Sequence, residues 1–207
     1  MSSPQGPIEP DLDAWDAWRP EEAARRFAGI DVPWYVAGGW AIDLFLGGQR
    51  RAHEDLEIGV PRDRFDPFAA ALDDCDLFVA GSDGLWPLTE TAMATHHQTW
   101  VRERASGTWR LDMFREPHDG DIWISRRDDR IRMPYRELIL RTDDGIPYGR
   151  PEVILFFKAK RAEAKDEGDL AAVLPRLSAE ARRWLIEALE MVHPGHEWIE
   201  RVRDGAS

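Results

Sequence analysis

Two carboxylates set two residues apart in an apolar run, with fifteen residues between them and a preceding glycine pair, constrain this chain more than any other feature. The first part reads Ala37-Gly38-Gly39-Trp40, and the second His53-Glu54-Asp55-Leu56-Glu57-Ile58. Alternation of polar and apolar residues over 53–60, ended by Pro61, predicts a strand. On such a strand residues 55 and 57 share a face, their Cα atoms ~6.5–7 Å apart, while Leu56 and Ile58 turn into the core. Carboxylates so placed can hold one or two divalent cations, which in two-metal sites lie ~3.5–4 Å apart. Magnesium prefers oxygen ligands of this kind and shares them with substrate phosphates. A glycine pair where a strand passes into a helix lets backbone N–H groups approach a phosphate, and the helix N-terminus favours its charge. A third carboxylate, Asp112, lies in Arg110-Leu111-Asp112-Met113-Phe114, again between apolar residues on an expected strand. Each piece alone has an ordinary explanation, as a half-exposed strand, a turn or a surface aspartate. Their order and spacing together point to a site for phosphate and metal.

The rest of the chain supplies a frame. At 207 residues it is one large domain, or a medium one with an appendage. Residues 1–10, with three prolines, read as a loose lead-in. Helical spacing runs over 11–29, with Pro20 opening a fresh helix, and 33–37 is a short strand stopping at the glycine pair. A short helix over 40–46 ends at Gly47-Gly48. A helix over 62–72 and a strand over 76–80 follow, then an irregular stretch over 81–97. Two hairpins come next, 99–104 with 108–114 and 122–125 with 130–133, and short strands around 138–141 and 146–148. After Pro151 the texture is helical: 152–164, 166–174, and 178–192 with Ser178 as N-cap. This order predicts an α/β (α+β) protein with a mixed sheet over 1–150 and a C-terminal helical subdomain over 151–207.

Charge narrows the partners. Lys plus Arg total 27 against 39 Asp plus Glu, which gives a net −12. Residues 1–150 hold 28 acids and 18 bases, the remainder 11 and 9. A phosphate backbone wants a basic surface, so a sequence-independent nucleic-acid binder is disfavoured; an acidic protein attracts cations instead. No apolar run approaches the ~18–20 residues of a membrane span. The first seven residues have neither a basic nor an apolar signal region, and a lone Cys75 makes no internal disulfide or cysteine metal site. The expectation is a soluble, cytoplasmic protein. Of the 27 bases only three are lysine, and Lys158, Lys160 and Lys165 fall within eight residues.

The chain resembles the DNA polymerase β-like nucleotidyltransferase superfamily. That family's signature is a hydrophobic residue and Gly-Gly or Gly-Ser, followed by Asp-hydrophobic-Asp/Glu-hydrophobic. Gly38-Gly39-Trp40-Ala41-Ile42-Asp43 and His53-x-Asp55-x-Glu57 look most like its aminoglycoside and lincosamide nucleotidyltransferases. The resemblance covers residues 34–60, extends to Asp112, and weakens after residue 120 except at the lysines. It implies a nucleotidyltransferase fold and a magnesium-dependent enzyme, with two ions. A nucleoside monophosphate would pass from a nucleoside triphosphate to an acceptor hydroxyl, and pyrophosphate would leave. Asp55 and Glu57 would bind magnesium; Asp112 would be a third metal ligand or the base that takes the acceptor proton. Glu57 stands where Asp is commoner. Gly38 and Gly39 would reach phosphate; Arg51, just before His53-x-Asp55, reads either as a further phosphate contact or as a surface residue.

On a helix, Ile154, Lys158, Arg161 and Lys165 would share one face with Lys160 opposite, which makes Lys158 and then Lys165 the expected triphosphate ligands. Glu163, Asp166, Glu167 and Asp169 could instead pair with them locally. His96-His97 has no third metal ligand nearby and reads as structural or substrate-facing. Trp34, Trp109 and Trp184 read as core, whereas Trp86 could stack on a sugar or base. Gly-Lys-Ser/Thr is absent, so P-loop chemistry is disfavoured. The acid excess over 1–150 suggests a small, cationic, aminoglycoside-like acceptor, with Glu90 and Glu116 as candidate contacts. Two other readings keep the fold: a toxin–antitoxin-type enzyme acting on tRNA or protein, which a basic groove would favour, and a catalytically silent nucleotide-binding module.

Overall fold

The computed structural model describes residues 7–205. Residues 1–6, most of the expected lead-in and of the stretch read for a signal region, lie outside the described residues. In chain order the elements are α1 (Pro20–Arg26), β1 (Tyr35–Val36), α2 (Gly38–Leu46), β2 (Glu57–Pro61), α3 (Asp66–Ala70), β3 (Cys75–Gly81), β4 (Gly84–Pro87) and α4 (Glu90–Thr95). They continue with β5 (Gln98–Glu103), β6 (Trp109–Glu116), β7 (His118–Asp119), β8 (Ile122–Ile124), β9 (Arg132–Pro134), α5 (Tyr135–Leu138), β10 (Ile139–Arg141) and β11 (Pro147–Gly149). Helices α6 (Pro151–Lys158), α7 (Ala164–Val173), α8 (Ala179–Val192) and α9 (Glu197–Asp204) close the chain.

The main sheet runs β10-β11-β1-β2-β6-β5-β3-β4, and β7-β8-β9 form a small second sheet. It is mixed: β2 pairs parallel with β6 and antiparallel with β1, while β5 pairs antiparallel with β6 and β3. The β2–β6 pair is central, and its register sets Glu57 beside Asp112, Gly59 beside Phe114 and Pro61 beside Glu116. These six positions share one face of the sheet. The intervening Leu56, Ile58, Leu111 and Met113 are fully buried on the other. Burying each such side chain stabilises the fold by roughly 1.5–3 kcal/mol, so a one-residue slip that reversed the faces would cost all four. The carboxylates therefore stand where they do because their apolar neighbours cannot stand elsewhere.

One apolar cluster crosses residue 150. It joins Ile58 and Met113 of the sheet to Val153, Ile154, Leu155 and Phe156 of α6 and to Leu185 and Leu189 of α8. Helix α8 starts as expected, with Ser178 Oγ accepting from Ala181 N at 3.1 Å. Trp34 and Trp109 are buried, but Trp184 is only half-buried, its ring edge-on to Phe156. No helix among the described residues is long and apolar enough to cross a membrane.

Several elements differ from the sequence expectation. Strand β2 begins at Glu57, so Asp55 lies just ahead of it, although Leu56 O still accepts from Asp112 N at 2.8 Å. The segment 11–19 is not a helix beyond a 3-10 turn at Leu12–Ala14; Trp15 bridges to Trp109 and lies edge-on to Trp100 at 5.2 Å. Aromatic burial there outweighs helical spacing. The stretch 81–97 is ordered as β4 and α4, with Thr89 capping the helix. The expected helix over 152–164 stops at Lys158, Ala162 takes φ 46°, and α7 restarts behind a capping box of Glu163 and Asp166. That box satisfies N–H groups at a fresh helix start, which competes with continuing α6.

Candidate active site

A cavity of about 820 Å³ opens over the β2–β6 face, between the N-terminus of α2, helix α6 and the segment after β8. Asp55, Glu57, Gly38, Gly39, Arg51, Lys158 and Lys165 all line it, so the structure brings every expected site residue except Asp112 to one cavity. Asp112 lies behind it, buried, beside Glu57 in the sheet. Its Oδ2 accepts from Gln98 Nε2 at 2.8 Å, and its Oδ1 is buried with no hydrogen-bond partner. Burial, then the charge of Glu57, raises the Asp112 pKa well above the usual carboxylate value. Burial and the neighbouring Asp55 push Glu57 up to about 7, against the pull of Lys158, Arg126 and Lys165. Crowded carboxylates raise one another's pKa because each disfavours the charge of the next.

An orphaned carboxylate oxygen beside a destabilised carboxylate is chemically suited to a cation, and an all-oxygen donor set suits magnesium. Among the described residues no three acidic or histidine side chains converge as a finished cage. Asp55, Glu57 and Asp112 are therefore neighbours whose residue types fit the metal.

The glycine pair has a steric cause. Gly38 takes φ 57°, and a Cβ there would collide with Glu57 Oε2. A Cβ on Gly39 would collide with Arg51 Nη2 and stand 2.7 Å from His53 Nδ1. Ala37 offers no side-chain cap, so the first N–H groups of α2 are left to face the cavity. His53 was not singled out in the sequence. Its Nε2 lies 2.6 Å from the buried Asp43 Oδ2, and its ring lies tilted against that of Trp40, 4.5 Å between centroids, beside the glycine turn. Both residues stood in the motif, but only the fold shows that they touch.

The lysines are placed differently from expectation. Lys158 Nζ donates to Asp166 Oδ1 at 2.8 Å and lies 3.0 Å from Asp169 Oδ2. Burial opposes the Lys158 charge, but the two aspartates outweigh it and hold its pKa above the ordinary value. Asp169 also faces Arg51 Nη2 at 3.5 Å. Lys158 and Arg51 thus enter the site already paired. Lys165 is exposed, 3.3 Å from Glu163. Because α6 ends early, the expected opposite face disappears, and Lys160 and Arg161 line the same cavity.

The far end of the cavity was not anticipated. Arg126 bonds Glu116 at 3.2 Å and stands over Phe114 and Phe157, 4.8 and 5.2 Å from their centroids. Arg127 stands over Phe157 at 5.7 Å. His97 stacks on Phe114, and its Nε2 accepts from Arg126. The substrate-facing reading of His97 fits this position, while His96 turns its carbonyl to the buried Arg115. Glu116 is in the cavity wall, but its oxygens are taken by Arg126 and Trp123. Glu90 and Trp86 do not line the cavity; Trp86 donates to Asp83 instead. The acid excess over 1–150 does not reach this wall: eight Arg or Lys line the cavity against six Asp or Glu. The acid excess of residues 1–150 therefore lies elsewhere than on the lining of this cavity. Sequence periodicity could not find this end, since its residues come from four separated segments.

Residues 22–102 match the family model for aminoglycoside-2''-adenylyltransferase. No curated protein matches the sequence. In fold, the chain is similar to the antibiotic-resistance factor ANT(2'')-Ia in its solution structure, with 15% identity, a TM-score of 0.57, and coverage of 87% of this chain and 94% of that one. It is also similar to the lincomycin-bound lincosamide antibiotic adenylyltransferase LnuA, with 15% identity, a TM-score of 0.52, and coverage of 74% and 92%.

Proposed function

From a chain with the nucleotidyltransferase fold, we propose a magnesium-dependent nucleotidyltransferase. It moves a nucleoside monophosphate, with ATP as donor, to a hydroxyl of a small antibiotic-like molecule. The observation that carries this is the register: Glu57 stands beside Asp112, with Asp55 just ahead and Gly38 pressed against Glu57. The family match over 22–102 spans the glycine turn and two of the three carboxylates, and supports adenylyl transfer as the reaction class.

Asp55, Glu57 and Asp112 would hold magnesium, which when bound supplies charge neutralisation for the triphosphate and acidity for the acceptor hydroxyl. The N–H groups at Gly38 and Gly39 bind phosphate oxygens at the positive end of α2. Lys158 and Arg51, held in place by Asp166 and Asp169, present cations to the leaving pyrophosphate, and Lys165 adds a mobile one. Asp112 Oδ1 is the atom left free for the metal or for the acceptor's proton. As the acceptor oxygen bonds to the α-phosphorus, the bond to pyrophosphate breaks in line. The cavity's volume falls within the ~300–1,000 Å³ of small-molecule sites, which favours a small acceptor over tRNA.

The test is pyrophosphate release and product mass with ATP, magnesium and a panel of hydroxylated antibiotics, with tRNA as a control. Asp55→Asn should abolish transfer while leaving the unfolding midpoint unchanged. Wild-type turnover in that variant would remove the metal-site assignment.

A further inference from the structure

The cavity has two ends, and the sheet register separates them. Glu57 and Asp112 mark one level of the β2–β6 face; Pro61 and Glu116 mark another, four residues along. At ~3.3 Å per residue the two levels lie ~13 Å apart. The glycine turn, Lys158 and the carboxylates gather at the first end. Arg62, which follows β2 directly, gathers with His97, Arg126 and Arg127 at the second, where Arg126 stands over Phe114 and Phe157 and Arg127 over Phe157.

Ion pairing decides what charge each end has to spare. Among the described residues Arg126 pairs with Glu116, Lys158 with Asp166, and Lys165 with Glu163. Of the lining side chains, Arg62, Arg127 and Lys160 appear in no ion pair, and neither do Glu54, Asp55 and Glu57. If Asp55 and Glu57 serve magnesium, Glu54 is the one carboxylate left for an acceptor. The buried Arg62 Nε has no hydrogen-bond partner. Burial first, and then the charges of Arg126, Arg115, Arg62 and Arg127, push the His97 pKa down to about 4.

We infer that the acceptor is a hydroxylated molecule of neutral or negative charge with a flat apolar face, bound at the arginine–aromatic end, and is not a polycation. This inference rests on the proposed nucleotidyl transfer. A polyamine acceptor would place several ammonium groups among unpaired guanidinium groups, with Glu116 already spent on Arg126. A flat face would lie on Phe114 or Phe157, where the rings already accept guanidinium stacking. An anionic substituent would meet Arg62 and Arg127 with charge-assisted hydrogen bonds.

The experiment uses three probes: a nitrophenyl glucoside, the matching nitrophenyl glucuronide, and tobramycin. Each is titrated calorimetrically into the full chain loaded with magnesium and a non-hydrolysable ATP analogue, and each is also tested for pyrophosphate release with ATP. The glucuronide should bind at least about tenfold more tightly than tobramycin, since one close charge pair is worth that much. Arg127→Glu should narrow or reverse that order, and Phe157→Ala should weaken both glycosides but not the ATP analogue. Tobramycin binding as tightly as the glucuronide, or neither glycoside binding, overturns the inference. So does Phe157→Ala weakening the nucleotide instead, which would give the wall to the base. Failure of the transfer reading looks different: no pyrophosphate with any probe and no binding of magnesium–ATP, while the order of probe binding still decides the inference.

Discussion

The glycine–carboxylate end of the cavity and its arginine–aromatic end share the strands β2 and β6, yet they are built on opposite principles. At the first end charge is crowded: buried carboxylates raise one another's pKa, and the lysine and arginine that face them are tethered to Asp166 and Asp169. At the second, cations stand on aromatic faces with one buried carboxylate among them. The first end is poised to take up positive charge and the second to take up a neutral or negative group. A site with both can order two substrates by charge alone.

The largest effect should come from breaking the crowded end. Asp112→Asn removes one carboxylate of the triad, and a loss of several kcal/mol of transition-state stabilisation corresponds to ~10³-fold in kcat/KM. The fold should survive, because the amide has a smaller desolvation penalty than a buried, partly orphaned carboxylate. Steady-state kinetics and a thermal melt check both halves. Activity within a few-fold of wild type would show that Asp112 only fills the sheet.

Next comes Lys158, where structure changes the meaning of the experiment. Lys158→Ala leaves Asp166 and Asp169 buried without their main partner, and breaking a buried pair costs about 3–5 kcal/mol. Denaturant unfolding should show that loss alongside weaker nucleotide binding. Lys165→Ala removes an exposed cation and should weaken nucleotide binding a few-fold with stability unchanged. Equal stability in the two variants would mean that the Lys158 ion pairs are not formed in solution.

Gly38→Ala is expected to be smaller in stability. A left-handed alanine costs roughly 1–2 kcal/mol, and its methyl would displace the Glu57 carboxylate. The catalytic loss should exceed the loss of stability, because Glu57 can swing aside only by leaving the position proposed for the metal. Activity and melting temperature measured on the same preparation separate the two.

How much of this was legible follows from contiguity. The glycine turn and Asp55–Glu57 lie within one short stretch, so residue types and spacing revealed them. Asp112 was visible as a carboxylate between apolar residues, but its place beside Glu57 needed the β2–β6 pairing. The lysine helix misled, because a capping box at Glu163 and Asp166 is a local choice that competes with 3.6-residue periodicity. The arginine end was illegible for a stronger reason. Arg62, His97, Phe114, Arg126 and Phe157 come from segments with no common period, and only packing brings them together. Net charge was silent about the cavity for the same cause: it counts acids wherever they lie, whereas the cavity lining has more bases.

The smallest effect, and the most direct probe of the second end, belongs to His97. Its folded pKa is about 4, against 6.5 for a free side chain. Between those values the unfolded chain binds a proton that the folded chain refuses, so stability should fall as pH drops from 6.5 toward 4. His97 is half-buried, and solvent screening discounts the full shift to about 1–2 kcal/mol. His97→Gln keeps an acceptor for Arg126 and should flatten that acid limb without altering stability at pH 7 by more than a few tenths of a kcal/mol. An NMR titration reads the same field directly. Binding of the nitrophenyl glucuronide should move the His97 pKa upward, because an anion among Arg62, Arg126 and Arg127 offsets the charges that depress it. A His97 that titrates at 6.5 in the free protein would mean that the ring is neither buried there nor faced by the guanidinium groups, and the contrast between the two ends would then lie in the carboxylates alone.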